Sequence, residues 1–361
     1  LGPAWTRTTL LIGTFSWWGY LPAERVRSVF ALVSLRQERV GLVHGEHVIG
    51  LVFVRVDEHH VAAHRGERGV GSEPGECFGA LIAGHRLTFR SCDDAVKTES
   101  MSAQAADLIE TNFVEFLLSM GRAGGAVERL DDEIAWTIGG SPIGYHNAVV
   151  RCTASEGRSG FLVEEWRDAL RQRSLPGSWH WTPGMHPHDL PRLLLDAGFE
   201  DGGDEPAMAA QLAALADMPM ATELQVTPVE DSSALDEYRQ VLAAGFGEGP
   251  KEADWVASVF AIIGLEPHSR WRHFVGTVAD DPVATASTLL TDSTAGIYFV
   301  CTRPDARRRG FGAAITNEAM RHAARTGATF AVLGSSPMGQ RVYERLGFRT
   351  IFSTRLFELD A

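Results

Sequence analysis

Methionine is missing from the first hundred residues of this 361-residue chain; all eight lie from Met101 onward. Cysteine pairs are missing too. Cys77, Cys92, Cys152 and Cys301 stand far apart without C-x-x-C spacing, which argues against a zinc ribbon or a disulfide framework, indicates no metal site and fits a reducing cytoplasm. No stretch approaches the ~18 uninterrupted apolar residues of a membrane helix. The nearest, residues 10–21 behind Arg7, has neither the basic start nor the small-residue cleavage pattern of a secretion signal. A basic excess is also lacking: the net charge of −13 argues against nucleic acid or an anionic membrane as the main partner. What is present is ordinary globular composition, 45% apolar and 22% charged, in a chain long enough for two or three domains.

The charge is unevenly spread. Residues 1–100 carry 11 basic and 11 acidic residues of the 33 and 46 in the whole, so the entire net charge belongs to the remainder. With six of the thirteen histidines and no motif, residues 1–100 are left unassigned. The expectation is non-native upstream translation with the native start at Met101; a real domain with a strand at 48–54 is a second reading, and a cloning artefact, for which Leu1-Gly2-Pro3 is too little to establish a tag, is the third.

The feature around which the rest is organised is the run from Val300 to Ala313. An apolar segment, Gly296-Ile297-Tyr298-Phe299-Val300, leads into Arg307-Arg308-Arg309-Gly310-Phe311-Gly312-Ala313, and Phe311, Ile315, Ala319 and Ala323 follow at helical spacing. This predicts strand, basic glycine loop, helix. Gly310 and Gly312 permit close backbone approach, and the first-turn amides meet where the helix dipole is positive, so the loop is an anion cradle. It is neither G-x-G-x-x-G nor G-K-[ST], which sets aside a Rossmann loop and a P-loop. Downstream, Thr329-Phe330-Ala331-Val332-Leu333 predicts a buried strand. Pro337 and Gly347 then bracket a short helix carrying Tyr343, before Leu346-Gly347-Phe348.

The spacing Arg307-x-x-Gly310-x-Gly312, followed by strand, Tyr343 helix and Leu-Gly-Phe, resembles the acetyl-coenzyme A signatures of the GNAT superfamily of N-acetyltransferases. The order strand, two helices, hairpin, strand, loop, helix, strand, helix, strand extends that resemblance over 223–361. The fold class it implies is α/β (α+β), with a mixed, mostly antiparallel sheet flanked by helices.

An internal repeat extends it further. Arg192-Leu193-Leu194-Leu195-Asp196-Ala197-Gly198-Phe199 aligns without gaps on Arg341-Val342-Tyr343-Glu344-Arg345-Leu346-Gly347-Phe348, and Cys152-Thr153 before Gly160-Phe161 echoes Cys301-Thr302 before Gly310-Phe311. Residues 101–220 are therefore expected to be a degenerate GNAT-like domain, joined by a linker at 217–222 to a catalytic domain at 223–361. In the first copy Leu162 stands at the Gly312 position and Leu194 at the Tyr343 position, so that copy is expected neither to bind the cofactor nor to protonate a thiolate. A helix is expected from about 161 to 173.

The resemblance implies acetyl-CoA as co-substrate and direct attack by a primary amine of a small molecule or peptide. It places pantetheine and the oxyanion against Phe299, Val300, Cys301 and Thr302, and the pyrophosphate on Arg307, Arg308, Arg309, Gly310, Phe311, Gly312 and Ala313. Ser335 and Ser336 either bond the pantetheine arm or cap the short helix. The Tyr343 hydroxyl would donate a proton to the departing thiolate, whose solution pKa near ~8.5 makes a modest donor sufficient. Cys301 is read as packing. No general base is assigned, although His268, His273, Glu266 and Asp292 fall near the expected cleft; Trp136, Asn147, Trp179 and Trp181 are candidates for an acceptor wall. Two other readings stay open: a non-catalytic acyl-CoA sensor or scaffold, and transfer of longer acyl groups or transfer to protein amines.

Overall fold

The computed structural model describes residues 29–33, 50–54, 79–82, 85–88, 92–215 and 221–360, with side chains from 102 onward, Ala214 excepted. The apolar stretch at 10–21 and most of the linker at 217–222 lie outside the described residues. Contacts divide the chain into two units, Leu1–Ala103 and Gln104–Ala361. In the first, β1 (Val29–Val33) pairs in parallel with β2 (Gly50–Val54), and β3 (Gly79–Ile82) pairs antiparallel with β4 (His85–Thr88).

Helix α1 (Cys92–Ala123) buries Phe116, Leu117 and Met120 and ends at the glycines Gly124 and Gly125. The first half continues with β5 (Val127–Leu130), β6 (Ile134–Ile138), β7 (Ala148–Cys152), α2 (Glu156–Arg171), β8 (Gly177–Trp181), α3 (Leu190–Asp196) and β9 (Glu200–Gln211). The second half runs β10 (Gln225–Pro228), α4 (Ser232–Gly245), α5 (Pro250–Ile263), β11 (Trp271–Val278), β12 (Asp281–Thr291), β13 (Thr294–Thr302), α6 (Phe311–Arg325), β14 (Phe330–Gly334), α7 (Gln340–Arg345) and β15 (Arg349–Leu359). The element order of this half is the one the GNAT resemblance implied. Among the described residues no helix is long and apolar enough to cross a membrane.

One sheet of eleven strands joins the halves, in the order β10-β11-β12-β13-β14-β9-β15-β8-β7-β6-β5. Its neighbours are antiparallel except β13 with β14 and β7 with β8. The last strand of each half sits in the other's part of the sheet: β9 lies between β14 and β15, and β15 lies between β9 and β8. The two halves at 101–220 and 223–361 thus exchange strands reciprocally within one compact unit. The 149-residue offset of the repeat is visible in the backbone, where Gly198 and Gly347 both take left-handed φ values of 90° and 94° before the buried Phe199 and Phe348.

The alignment of Gly160-Phe161 on Gly310-Phe311 does not survive. Helix α2 begins at Glu156, not near 161, and only residues 153–155 join it to β7, whereas 303–310 join β13 to α6. Phe161 is consequently exposed in mid-helix while Phe311 is buried at a helix start. The glycine loop is absent from the first copy altogether, a stronger difference than one leucine.

Each face of the sheet has its own packing. Helices α1, α4 and α5 share one core around Phe116, Tyr238, Phe260 and Phe299, whereas α6 and α7 share another around Phe311, Ile315, Met320 and Phe348. Across the halves, His146 Nε2 and Glu252 Oε1 of α5 lie 2.9 Å apart, both buried. Burial opposes the Glu252 charge, but the bond to His146, that ring's charge and the Glu248 amide outweigh it, so its pKa lies below the ordinary glutamate value. Glu252→Ala leaves the imidazole without its partner and is expected to cost about 3 kcal/mol of unfolding free energy in a denaturant titration.

Candidate active site

The site begins with an irregularity in β13. Strand β13 pairs with β14 only at Thr294, Ala295 and Gly296; from Ile297 onward the two diverge and leave a wedge. On its other edge β13 bulges: Ser287 of β12 faces Tyr298 and Thr285 faces Cys301, leaving Phe299 and Val300 without register partners. Phe299 takes a left-handed φ of 51°, costly for an aromatic residue, and its carbonyl accepts from Thr285 Oγ1 at 2.9 Å. A strained bulge beside an open wedge puts unpaired backbone where a ligand could use it.

The loop from β13 to α6 supplies the second part. Arg308 and Gly310 both take left-handed φ values, 64° and 86°. Ala314 N donates to Gly310 O at 3.0 Å, and the four preceding amides, Gly310 to Ala313, donate to no protein acceptor among the described residues. Such a concave run at a helix start is a nest for an anion. The structure also tests the glycine at 312. A Cβ there would meet only Thr302 Oγ1, at 3.4 Å, so the protein's own packing does not require glycine. An arriving phosphate would.

The three arginines separate into different roles. Arg307 Nε donates to Thr302 O at 3.1 Å and its guanidinium to Gly245 O at 3.0 Å, which ties the loop to the end of α4. Arg309 pairs with Glu223 at 3.1 Å and lies 4.6 Å over the Phe311 ring. Arg308 is exposed and has no protein partner among the described residues, which leaves it available to an anion.

Tyr343 lies on α7, buried among α6, α7 and the sheet, its ring 5.9 Å from Phe348. A Cβ on Gly339 would come within 2.9 Å of its ring edge and 3.5 Å of Ser335 Oγ, so the ring packs over the turn that opens α7, next to the β14–α7 connection. Burial pushes its pKa up to about 12. It is therefore protonated at neutral pH, and complete transfer to a thiolate near ~8.5 runs uphill; a hydrogen bond to the developing thiolate suits it better. Ser335 Oγ donates to Ser336 O at 2.9 Å, and Ser336 Oγ accepts from Gly339 N at 3.2 Å, so both hydroxyls serve the turn before α7. Cys301 is buried, its thiol directed at Val241 O and pushed up to about 12 by burial, an inert packing group.

The residues offered for the acceptor side fare differently. His273 is buried under Phe260 at 3.7 Å and bonded to Ser287; burial and the Arg272 charge push it down to about 3, and it lies within the core. Glu266 and His268 are exposed on the loop before β11. Asp292 alone lines a groove of about 1060 Å³ that runs between α1, the ends of β7 and β12, and residues 182–185. Trp136 and Trp179 are buried in the first-half core, and Trp181 packs against it. Asn147 Nδ2 donates to Ser141 O and Pro176 O, both at 2.8 Å, a structural role. None of these four lines the groove. In the first half the corresponding wedge is shut: His186 N donates to Cys152 O at 2.9 Å and Thr153 bridges His186.

Sequence reasoning missed a smaller cavity, of about 30 Å³, that shares Glu110, Val150 and Thr182 with the groove and reaches Tyr298, Gly334 and Glu205. Its residues come from α1, β7, β9, β13, β14 and β15, which no local pattern links.

Residues 274–357 match the family model of FR47-like proteins. The fold is similar to that of a GCN5-related N-acetyltransferase from Kribbella flavida, with a TM-score of 0.53 and 15% identity, covering 68% of this chain and 94% of that one. It is also similar to a functionally unknown conserved protein from Staphylococcus epidermidis, TM-score 0.51 and 15% identity, covering 65% and 94%. Among curated proteins no match was found.

Proposed function

We propose, for a chain with the GNAT fold and an FR47-like segment, that it transfers the acetyl group of acetyl-CoA to a primary amine by direct attack. The observation that carries this is a combination: a wedge between β13 and β14, a cradle of four free amides at α6 and a buried, protonated tyrosine on α7 all belong to the second half. The cradle and Arg308 would hold the pyrophosphate, and the wedge would take the pantetheine arm. The thioester supplies an activated acetyl group and the protein orients it. Tyr343 would donate a hydrogen bond to the leaving sulfur, which makes the site one for turnover and favours an enzyme over a sensor. The shut wedge of the first half is consistent with a non-binding partner copy.

Calorimetric titration of acetyl-CoA into the full chain is expected to give one site. Tyr343→Phe is expected to leave that affinity unchanged and to lower kcat by about 10²-fold, the scale of losing one hydrogen-bond donor to developing negative charge. Unchanged turnover in that variant, measured by thiol release, would remove Tyr343 from the reaction; no binding by the wild type would remove the acetyltransferase reading itself.

A further inference from the structure

The mechanism above leaves the acceptor's protons without a destination. A primary amine reaches the site as an ammonium ion, because alkylamines titrate near the lysine value of ~10.4, and it attacks only after losing a proton. Asp292 lines the outer groove, and Glu110 lines both groove and cavity but accepts from Thr182 Oγ1 at 2.8 Å; the carboxylate beside Gly334 belongs to the exchanged strand. Glu205 stands on β9, paired with Thr354 of β15 on one side, while Pro206 O accepts from Ser335 N at 2.9 Å on the other. A Cβ on Gly334, the last residue of β14, would lie 3.7 Å from Glu205 Oε2. Tyr343 packs beside the same β14–α7 connection. Acid and base candidates thus flank one segment from opposite faces of the sheet, Glu205 on the α1 side and Tyr343 on the α6 side, each from a different half of the chain.

We propose, resting on the acetyltransferase reading, that Glu205 is the catalytic base and that the acceptor is a slender, unbranched primary alkylamine entering amine-first through the groove beneath α1. The cavity in front of Glu205 leaves about 30 Å³ open to the centres of water-sized groups, enough for a terminal ammonium and the methylene behind it. Its remaining walls include the apolar Ile109, Phe113, Val332 and Phe352. A terminal –CH2–NH3⁺ enters with the least displacement of these walls, and a branch on the carbon bearing the amine has to push against them. The broad groove outside it would take the body of the acceptor.

The protons balance. Glu205 takes one proton from RNH3⁺; the freed nitrogen forms its bond to the acetyl carbon and the C–S bond breaks. The nitrogen's second proton neutralises the thiolate that Tyr343 has stabilised, and Glu205 returns its proton to solvent along the groove. Acetyl-CoA and RNH3⁺ give RNHCOCH3, CoASH and one proton.

The surroundings of Glu205 suit a base. Its one hydrogen bond among the described residues comes from Tyr145 OH at 3.3 Å, and it has no ion pair there. Facing it are Tyr145, Glu110 of α1, Tyr298 of β13 and Glu358 of β15, with no cation among them. Burial raises its pKa above the ordinary glutamate value, the Tyr145 bond lowers it and the Glu358 charge raises it.

The test uses the full chain with spermidine and tyramine as slender amines and alanine amide as a branched one. Expected are acetylation of at least one slender amine, none of alanine amide, and a kcat/KM that rises with pH through the Glu205 titration. Glu205→Gln, nearly isosteric, is expected to lower kcat/KM by about 10²–10⁴-fold with acetyl-CoA affinity and melting temperature kept. Tyr145→Phe withdraws the bond that favours the carboxylate, so the acidic limb should move to higher pH, a shift that a purely structural role would not produce. Wild-type protein that binds acetyl-CoA yet acetylates neither slender amine, or prefers alanine amide, overturns the acceptor class. Equal kcat/KM in Glu205→Gln overturns the base. Wild-type protein that does not bind acetyl-CoA at all indicts the cofactor reading instead.

Discussion

Gly312→Leu is expected to abolish acetyl-CoA binding, by at least about 100-fold or ~2.7 kcal/mol, while the unfolding transition stays where it is. Both halves of that result follow from the same contact. A side chain at 312 has little of the protein to collide with, since its Cβ meets only Thr302 Oγ1 at 3.4 Å. Leucine is also the better helix former, by less than ~1 kcal/mol, so α6 loses nothing. What the branched side chain occupies is the space above the free amides of residues 310–313, where a pyrophosphate has to touch backbone. Calorimetry on the wild type and the variant, with a thermal melt of each, separates the two effects. A variant that binds normally would place the coenzyme elsewhere, and one that melts early would mean that Gly312 serves the fold.

Cutting the chain between the halves is expected to leave neither able to fold alone. A fragment of 223–361 keeps the cradle and Tyr343 but loses β9, so β14 and β15 part along their whole length and the buried Ala207, Met208, Ala209 and Ala210 leave the sheet. The ladder hydrogen bonds, at about 1 kcal/mol each, together with that apolar surface approach the ~5–15 kcal/mol that stabilises a typical domain. Fragment 101–222 loses β15 in the same way. Mixing the two during refolding should restore a folded 1:1 complex, seen by size exclusion and far-UV circular dichroism, because each carries the strand the other lacks. A monomeric, cooperatively folded 223–361 fragment would contradict the reciprocal exchange. The expected effect bears on function as well, because the strand that leaves with the first half carries Glu205.

Much of this could be read from residue order. The cradle is a local object: an apolar strand, glycines at 310 and 312 and an amphipathic helix follow one another in sequence, and the structure has them as β13, loop and α6. The repeat around Gly198 and Gly347 was legible because a left-handed residue between a short helix and a buried phenylalanine leaves a compact signature. Other features were hidden. Strand β9 opens with Glu200-Asp201-Gly202-Gly203-Asp204-Glu205-Pro206, which has no strand-like alternation, and it is a strand because β14 and β15 offer edges on both sides. The offset between α2 and the Gly160-Phe161 echo shows the opposite error, a short match that local spacing suggested and the backbone did not keep.

The amino-acid sequence by itself determined the order of elements in the second half, the glycine loop before α6 and the place of Tyr343 on a short helix, because helix periodicity, glycine freedom and helix termini are set within a few residues. Only the tertiary structure decided that two similar halves share one sheet and trade their last strands. It also decided that a wedge stays open in one half and is shut in the other, and that Glu205 comes to lie beside β14. Those outcomes depend on which strand edges and cavities meet across some 150 residues of chain, and no short-range pattern encodes a meeting of that kind.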